Sequence, residues 1–172
     1  MKVKFKKTHP DAKEPFKKYN EDFCYDLYAV SCEELAPNVW KYKLGLAFEI
    51  ERGYEKILTD YSNVLDAKNV PFYTMVDMKN VPFILSLDFR PRSSVWETGM
   101  VLSNCTGTVD ELFRGEVSAV FYHVMPNMPR YEVGQRIIQC KLGITLPIEW
   151  EEVEELSETK RGENGYGHTG RK

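Results

Sequence analysis

VWKYKLGLAFEIE (residues 39–51) sets Trp40, Tyr42, Leu44, Leu46, Phe48 and Ile50 at every second position, with lysines, glycine, alanine and glutamates between them. Successive side chains of a strand point to opposite faces, so this parity buries one face and wets the other. The same period runs through KVKFKK (residues 2–7), with Val3 and Phe5 on one face, and through FILSLDFRP (residues 83–91), with Phe83, Leu85, Leu87 and Phe89. EVSAVFYHV (residues 116–124) and RIIQCKLGI (residues 136–144) are two further apolar runs of strand length. Turn residues separate these segments. The pattern is that of an all-β barrel or sandwich.

One stretch departs from the period. In GYEKILTDYSNVLDA (residues 53–67), Tyr54, Ile57, Leu58, Tyr61, Val64 and Leu65 recur at helical spacing and predict an amphipathic helix. KNVPF follows twice, at residues 68–72 and 79–83. Two copies do not make a repeat protein, and prolines at strand edges account for them better. Residues of about 52–82 are therefore expected to be a helix-containing insertion in a β domain spanning 1–148. Six glutamates between Glu149 and Glu158 repel one another, which makes 149–160 a solvated acidic linker. The linker leads to RGENGYGHTGRK (residues 161–172), a glycine-rich end with too little apolar area to fold by itself.

The totals narrow the functional classes. At 172 residues and 42% hydrophobic, the chain fits one domain of ordinary size. A net charge of -3 gives no general attraction to nucleic acid or to anionic membranes, so any phosphate site is local. No apolar run approaches the roughly 18 to 20 residues that cross a bilayer. The basic start, MKVKFKKTHP, has no apolar stretch behind it and is not a secretory signal. Cys24, Cys32, Cys105 and Cys140 lack zinc-ligand spacing and read as reduced thiols of a cytoplasmic protein.

Four segments carry groups able to do chemistry. RPRSSVWETG (residues 90–99) delivers Arg92, Ser93 and Ser94 from the end of a strand, and SVWE has the form of a capping box with Ser94 as N-cap and Glu97 three residues on. A helix start beside an arginine suits phosphate, although an ordinary capped turn needs the same residues. In SNCTGTVDELFRGE (residues 103–116), Asn104 and Gly107 flank a tight reversal where glycine can take positive φ. Asp110 follows Thr108 and Val109 on β-inclined backbone, placed for general-base work or merely for turn hydrogen bonds. Gln139 sits among Ile138 and Cys140 in a strand and needs a partner, backbone or ligand. Asp26, in FCYDLYAV (residues 23–30), is costly to bury unless paired or metal-linked.

Taken in order, YDLYA, PRSS, NCTGTVDELFRGE, GQRIIQ and RGENGYGHTG resemble the five signature motifs of the trimeric dUTPases (dUTP pyrophosphatases). The resemblance covers nearly the whole chain apart from the insertion. It implies a jelly-roll-like β barrel, a homotrimer with active sites at subunit interfaces, and hydrolysis of dUTP to dUMP and pyrophosphate with Mg²⁺ on the triphosphate. It also implies that Asp110 activates the attacking water and that Asp26 reaches the metal through coordinated waters. Arg92, Ser93, Ser94 and Gln139 fall where the family contacts phosphate. Asn104, the backbone of Gly107, Thr108, Val109 and Asp110, and the region of Ser118 correspond to the hairpin that reads uracil. Phe113 lies where the family usually has tyrosine, under the deoxyribose. The tail is similar to the family's mobile arm: Tyr166 would stack on the base, and Arg161, Gly167, His168 and Thr169 would close on the nucleotide and its phosphates.

Two departures stand out. Phe23, Cys24 and Tyr25 are bulky where the first motif usually has small residues, and the insertion has no assignable family counterpart. A dCTP deaminase shares the fold and the RSS motif, but it needs a glutamate where this chain has Val120. A nucleotide-binding regulatory relative, working through the insertion, is the other alternative.

Overall fold

A computed structural model describes residues 2–52, 54–56, 75–77 and 83–163. Twelve strands follow one another among these residues. They are β1 (Lys2–Lys7), β2 (Tyr25–Tyr28), β3 (Ser31–Ala36), β4 (Val39–Lys43), β5 (Leu46–Glu51), β6 (Tyr54–Lys56), β7 (Met75–Asp77), β8 (Ile84–Pro91), β9 (Met100–Leu102), β10 (Gly107–Asp110), β11 (Ser118–His123) and β12 (Arg136–Thr145). A short 3-10 helix, Ser93–Thr98, follows β8. The all-β, jelly-roll-like expectation holds.

Every strand pair is antiparallel, and the long strands form two four-stranded sheets, β10-β8-β12-β2 and β3-β4-β11-β9, with β1-β5 as a separate pair. Leu27, Leu85, Leu87, Phe89, Ile138 and Cys140 from the first sheet meet Tyr42, Leu102, Ala119 and Phe121 from the second in one core. Phe48 of β5 meets Phe89 of β8 edge to face, ring centres 6.4 Å apart. At the centre, Tyr42 is fully buried and donates its hydroxyl to the Tyr131 carbonyl at 2.9 Å, which meets the need of a buried polar group for a partner.

The stretch 39–51 is two strands rather than one. Gly45 turns the chain with φ +67, and a Cβ there would come within 2.9 Å of the Ala12 side chain. Both flanks dock on one residue: the Leu44 N–H donates to the Val117 carbonyl at 3.1 Å, and the Val117 N–H donates to the Leu46 carbonyl at 2.9 Å. Tyr42, Leu44, Leu46, Phe48 and Ile50 stay buried through the corner, where Gly45 and Ala47 between them are buried too.

The expected helix fails at its first member. Tyr54–Lys56 is a strand paired with Met75–Asp77, so backbone ladder bonds win over helical side-chain spacing there. Ile57, Leu58, Tyr61, Val64 and Leu65, with both KNVPF copies up to Pro82, lie outside the described residues.

Candidate active site

Alternation along the β10-β8-β12-β2 sheet sends Val109, Leu87, Phe89, Cys140 and Leu27 inward. The opposite face carries Asp110 and Thr108 on β10, Ser86, Asp88 and Arg90 on β8, Gln139 and Lys141 on β12, and Asp26 on β2. Register orders them. Asp26 lies opposite Gln139, which lies opposite Arg90, at one end of the sheet. Asp110 lies opposite Ser86 at the other end.

The first end is a closed ionic cluster. Arg92 Nε donates to Asp26 Oδ1 at 3.0 Å, and Arg136 Nη1 donates to Asp26 Oδ2 at 3.1 Å. The Asp26 side chain keeps 17% exposure, so the carboxylate is mostly withdrawn from water and its pairing offsets that cost. Its backbone is fixed too, exchanging two hydrogen bonds with Phe16 at 2.9 and 2.7 Å. Gln139 donates to the Pro91 carbonyl at 3.0 Å, so its partner is backbone and it holds the chain that delivers Arg92. Two guanidiniums on one carboxylate leave one surplus positive charge, a setting for phosphate.

The capping box does not form. Arg92 is the N-cap of the 3-10 helix with no side-chain cap bond, and Ser94 lies one residue inside. The helix begins directly at Ser93, so the Ser94 and Glu97 side chains are not placed to cap its start. Ser93 is exposed and Ser94 half-buried, both beside Arg92.

The second end is open. β10 pairs with β8 alone, so one edge of Gly107–Asp110 carries no ladder among the described strands. β9, across the 103–106 turn, belongs to the other sheet, so β9 and β10 form no hairpin with each other. The left-handed residue of that turn is Cys105, φ 55, rather than Gly107. What Gly107 supplies is room, since a Cβ there would stand 3.3 Å from Asn104 Nδ2. A cavity of about 120 Å³ opens between the two sheets, lined by Asn104, Gly107 and Ser118 over Phe89, Leu102 and Ile138. A second, of about 210 Å³, is lined by Thr108, Val109, Asp110, Phe113 and Ser118, with Glu116 and Val117. The Phe113 ring folds over Gly115, where a Cβ would meet it at 2.6 Å.

Within one chain, then, Asn104, Gly107, Thr108, Val109, Asp110, Phe113 and Ser118 come together, and Asp26, Arg92, Ser93, Ser94 and Gln139 come together. Gly107 lies opposite Phe89, one position from Arg90, but Asp110, opposite Ser86, stands far from Arg92. Six residue steps of extended chain run from Ser86 to Arg92, a span of about 20 Å. Arg161 lies exposed near the end of the described chain, while Tyr166, Gly167, His168 and Thr169 lie outside the described residues.

Arg136 is the residue that sequence reasoning missed. Its signal was present: a carboxylate in a strand of aromatics requires a cation, and Arg136 sits in GQRIIQ, three residues before Gln139. The four cysteines are free. Burial, with Cys24 and Asp26 nearby, pushes the Cys140 thiol up to about 12, which leaves it protonated and inert.

Magnesium can be tested against this donor set. A carboxylate offers about four lone-pair sites, and Asp26 spends two on arginines, leaving one on each oxygen for a metal-bound water. An ion that keeps its waters and takes its other oxygens from phosphate fits. Among the described residues, no group of three or more His, Cys, Asp or Glu forms a cage of its own.

A sequence model described as dUTPase matches residues 73–170. The deoxyuridine 5'-triphosphate nucleotidohydrolase of Nautilia profundicola is 30% identical over 99% of this chain and 100% of its own length. The protein of that name from Clostridium novyi is 30% identical over 99% of each. Among solved structures, a variant dUTPase of Staphylococcus bacteriophage 80alpha with dUpNHpp superposes with a TM-score of 0.68 at 19% identity, covering 98% of both chains. A variant dUTPase of phage phi11 of S. aureus, described with a structural Mg(II) ion, gives 0.60 at 14% identity, covering 92% of this chain and 100% of its own.

Proposed function

The chain belongs to the dUTPase family, and from that premise we propose that it hydrolyses dUTP to dUMP and pyrophosphate, limiting uracil incorporation into DNA and supplying dUMP for thymidylate synthesis. One observation carries the assignment of roles. A single four-residue strand, β10, has a backbone edge with no partner strand among the described residues, beside a cavity, and ends in a carboxylate on its outward face. A free edge offers N–H and C=O groups in the order that pairs with O4, N3 and O2 of uracil. Cytosine presents the opposite order and would leave buried groups unpaired, which discriminates strongly. Phe113, beside the base slot, crowds a 2′-hydroxyl.

Asp110 accepts a proton from a water as the water oxygen bonds to the α-phosphorus. The bridging bond to the β-phosphate breaks, and pyrophosphate leaves. Arg92, Ser93, Ser94 and Gln139 hold phosphate oxygens. Asp26 would hold Mg²⁺ through coordinated waters, and the bound ion would supply charge neutralisation at the phosphates. The separation of about 20 Å along β8 is too long for Arg92 and Asp110 of one chain to serve the same phosphorus. That distance supports a homotrimer in which the cluster of one subunit faces the β10 edge of the next.

The domain reading follows from the same roles. The barrel (1–148) carries both half-sites, and 149–160 is a linker that runs without strand or helix and with every side chain exposed. Residues 161–172 form the lid, with Tyr166 on the base and Arg161, Gly167, His168 and Thr169 over the phosphates. Ordering a glycine-rich end costs entropy that bound nucleotide offsets, so closure is coupled to substrate. Pyrophosphate release from dUTP, with dCTP and dTTP as controls, is the test. Release from dUTP alone supports the proposal, and equal release from dCTP contradicts it.

A further inference from the structure

Next to Asp110 stands a second carboxylate that the reaction does not use. Arg52, immediately after β5, donates from Nε to Glu111 Oε1 and from Nη2 to Glu111 Oε2, both at 2.6 Å. The same Nη2 donates to the Phe83 carbonyl at 2.6 Å, and the Leu85 N–H donates to Glu111 Oε2 at 3.2 Å. The two side chains retain only 24% and 18% exposure. A two-pronged guanidinium–carboxylate contact fixes direction as well as distance.

Its placement gives it meaning. Arg52 stands where the chain leaves β5 for the 53–82 segment, and Phe83 stands where the chain returns. Glu111 therefore gathers both ends of that excursion onto the residue that follows Asp110. The turn beyond is tied as well: the Phe113 N–H donates to the Asp110 carbonyl at 3.0 Å, and Arg114 Nη1 donates to the Glu111 carbonyl at 2.6 Å. Among the described strands β10 has a neighbour on one side only, so without this contact its last residue would be held by β8 and the Phe113 turn bond alone.

We propose that Arg52 and Glu111 are positioning residues that hold the β10 strand end, and with it the Asp110 carboxylate, at the distance that water attack requires, and that they join this strand end to the base of the 53–82 segment. The proposal rests on Asp110 being the general base. Misplacing a catalytic group by about 1 Å costs up to roughly 100-fold in rate without touching substrate affinity to the same degree.

The test measures kcat and KM for dUTP in the full-length Arg52→Ala, Glu111→Gln, Arg52→Lys and Arg52→Ala/Glu111→Gln proteins, alongside Asp110→Asn. Binding of a non-hydrolysable dUTP analogue and the thermal midpoint are followed in each. Expected are a kcat lower by about 10- to 100-fold in either single variant, with KM and analogue affinity within about twofold. Arg52→Lys, which keeps the charge but loses the fork, should fall between wild type and Arg52→Ala. The double variant should lose no more than the worse single, because the two act as one unit. A folded Arg52→Ala or Glu111→Gln protein with wild-type kcat, or losses confined to KM, overturns the proposal. If Arg52→Ala does not fold, Arg52→Lys and Glu111→Gln decide by the same criteria. An inactive Asp110→Asn beside fully active clamp variants removes the clamp alone, whereas an active Asp110→Asn removes the assignment of the base and the clamp with it.

Discussion

The two ends of β8 solve opposite problems. At the Pro91 end, polar side chains have already found partners: Asp26 holds two arginines, and Gln139 holds the backbone that delivers one of them. At the Ser86 end, the neighbouring strand β10 offers a backbone edge with no partner strand among the described residues and an exposed carboxylate. A charge-rich end is preorganised and must exchange partners to bind phosphate. A backbone edge is incomplete until something pairs with it. On the proposed roles, the first arrangement suits any polyphosphate, whereas the second can tell one base from another.

Breaking the open end at its carboxylate should have the largest effect. Asp110→Asn removes the proton acceptor, and kcat for dUTP should fall by about 1,000-fold, within the range for general-base loss, while the analogue still binds. Truncation before Arg161 should reduce turnover by about 100-fold, comparable with losing one well-placed donor to developing charge, and leave the oligomer intact on size-exclusion chromatography. At the closed end, Arg92→Ala removes a charge-assisted contact. It should raise KM for dUTP by roughly 10-fold or more, with equal loss for dUTP and any residual dTTP activity. Unequal losses would mean that this end reads the base after all.

Gly115→Ala sharpens the contrast in the other direction. A methyl group 2.6 Å from the Phe113 ring displaces a side chain, not the backbone. The barrel should stay folded while discrimination of dUTP against UTP relaxes by a few-fold, about 1 kcal/mol or less.

The smallest expected effect is on acid stability. The Arg52 contact holds Glu111 below the usual carboxylate range. Burial pushes Asp88 up, but its bonds from Lys141 at 3.0 Å and Ser86 at 2.9 Å outweigh that and leave it lowered. A depressed folded-state pKa stabilises above the unfolded value, and that contribution is lost as pH falls through the folded one. Denaturation midpoints should therefore drop as pH falls below the usual carboxylate range, and Lys141→Met should shrink the Asp88 share of that loss, a contribution of about 1 kcal/mol or less.

Much of the fold was legible because strand parity is a local property. Leu85, Leu87 and Phe89 are buried as their spacing requires. Parity also concealed a feature: Leu44 and Leu46 keep the alternation through a corner, so nothing in the pattern marked the break at Gly45. Tyr54 fits a helical face and a strand equally well over three residues, and pairing with Met75–Asp77 decided it. Ser94 followed by Glu97 spells a capping box, but the helix starts too early for it.

At the candidate site, the sequence named residues to look for but not the distances between them. Ordered motifs marked Asp26, Arg92, Asp110 and Gln139, but no local pattern says that Asp110 pairs with Ser86 while Arg92 stands six residues further along. Nor does sequence show that Arg52 reaches a glutamate 59 positions away. Such contacts are set by register between distant strands, which parity constrains only modulo two.

The central claim is that the two ends of β8 work on one nucleotide only across a subunit boundary. Assayed at dUTP well below KM, Arg92→Ala and Asp110→Asn proteins, each strongly impaired alone, should recover activity when co-refolded at equal ratio. In random trimers each mixed assembly regains one intact site, so turnover should reach about a quarter of wild type. Mixed trimers, separable by a charge tag, with no recovered turnover would contradict the account.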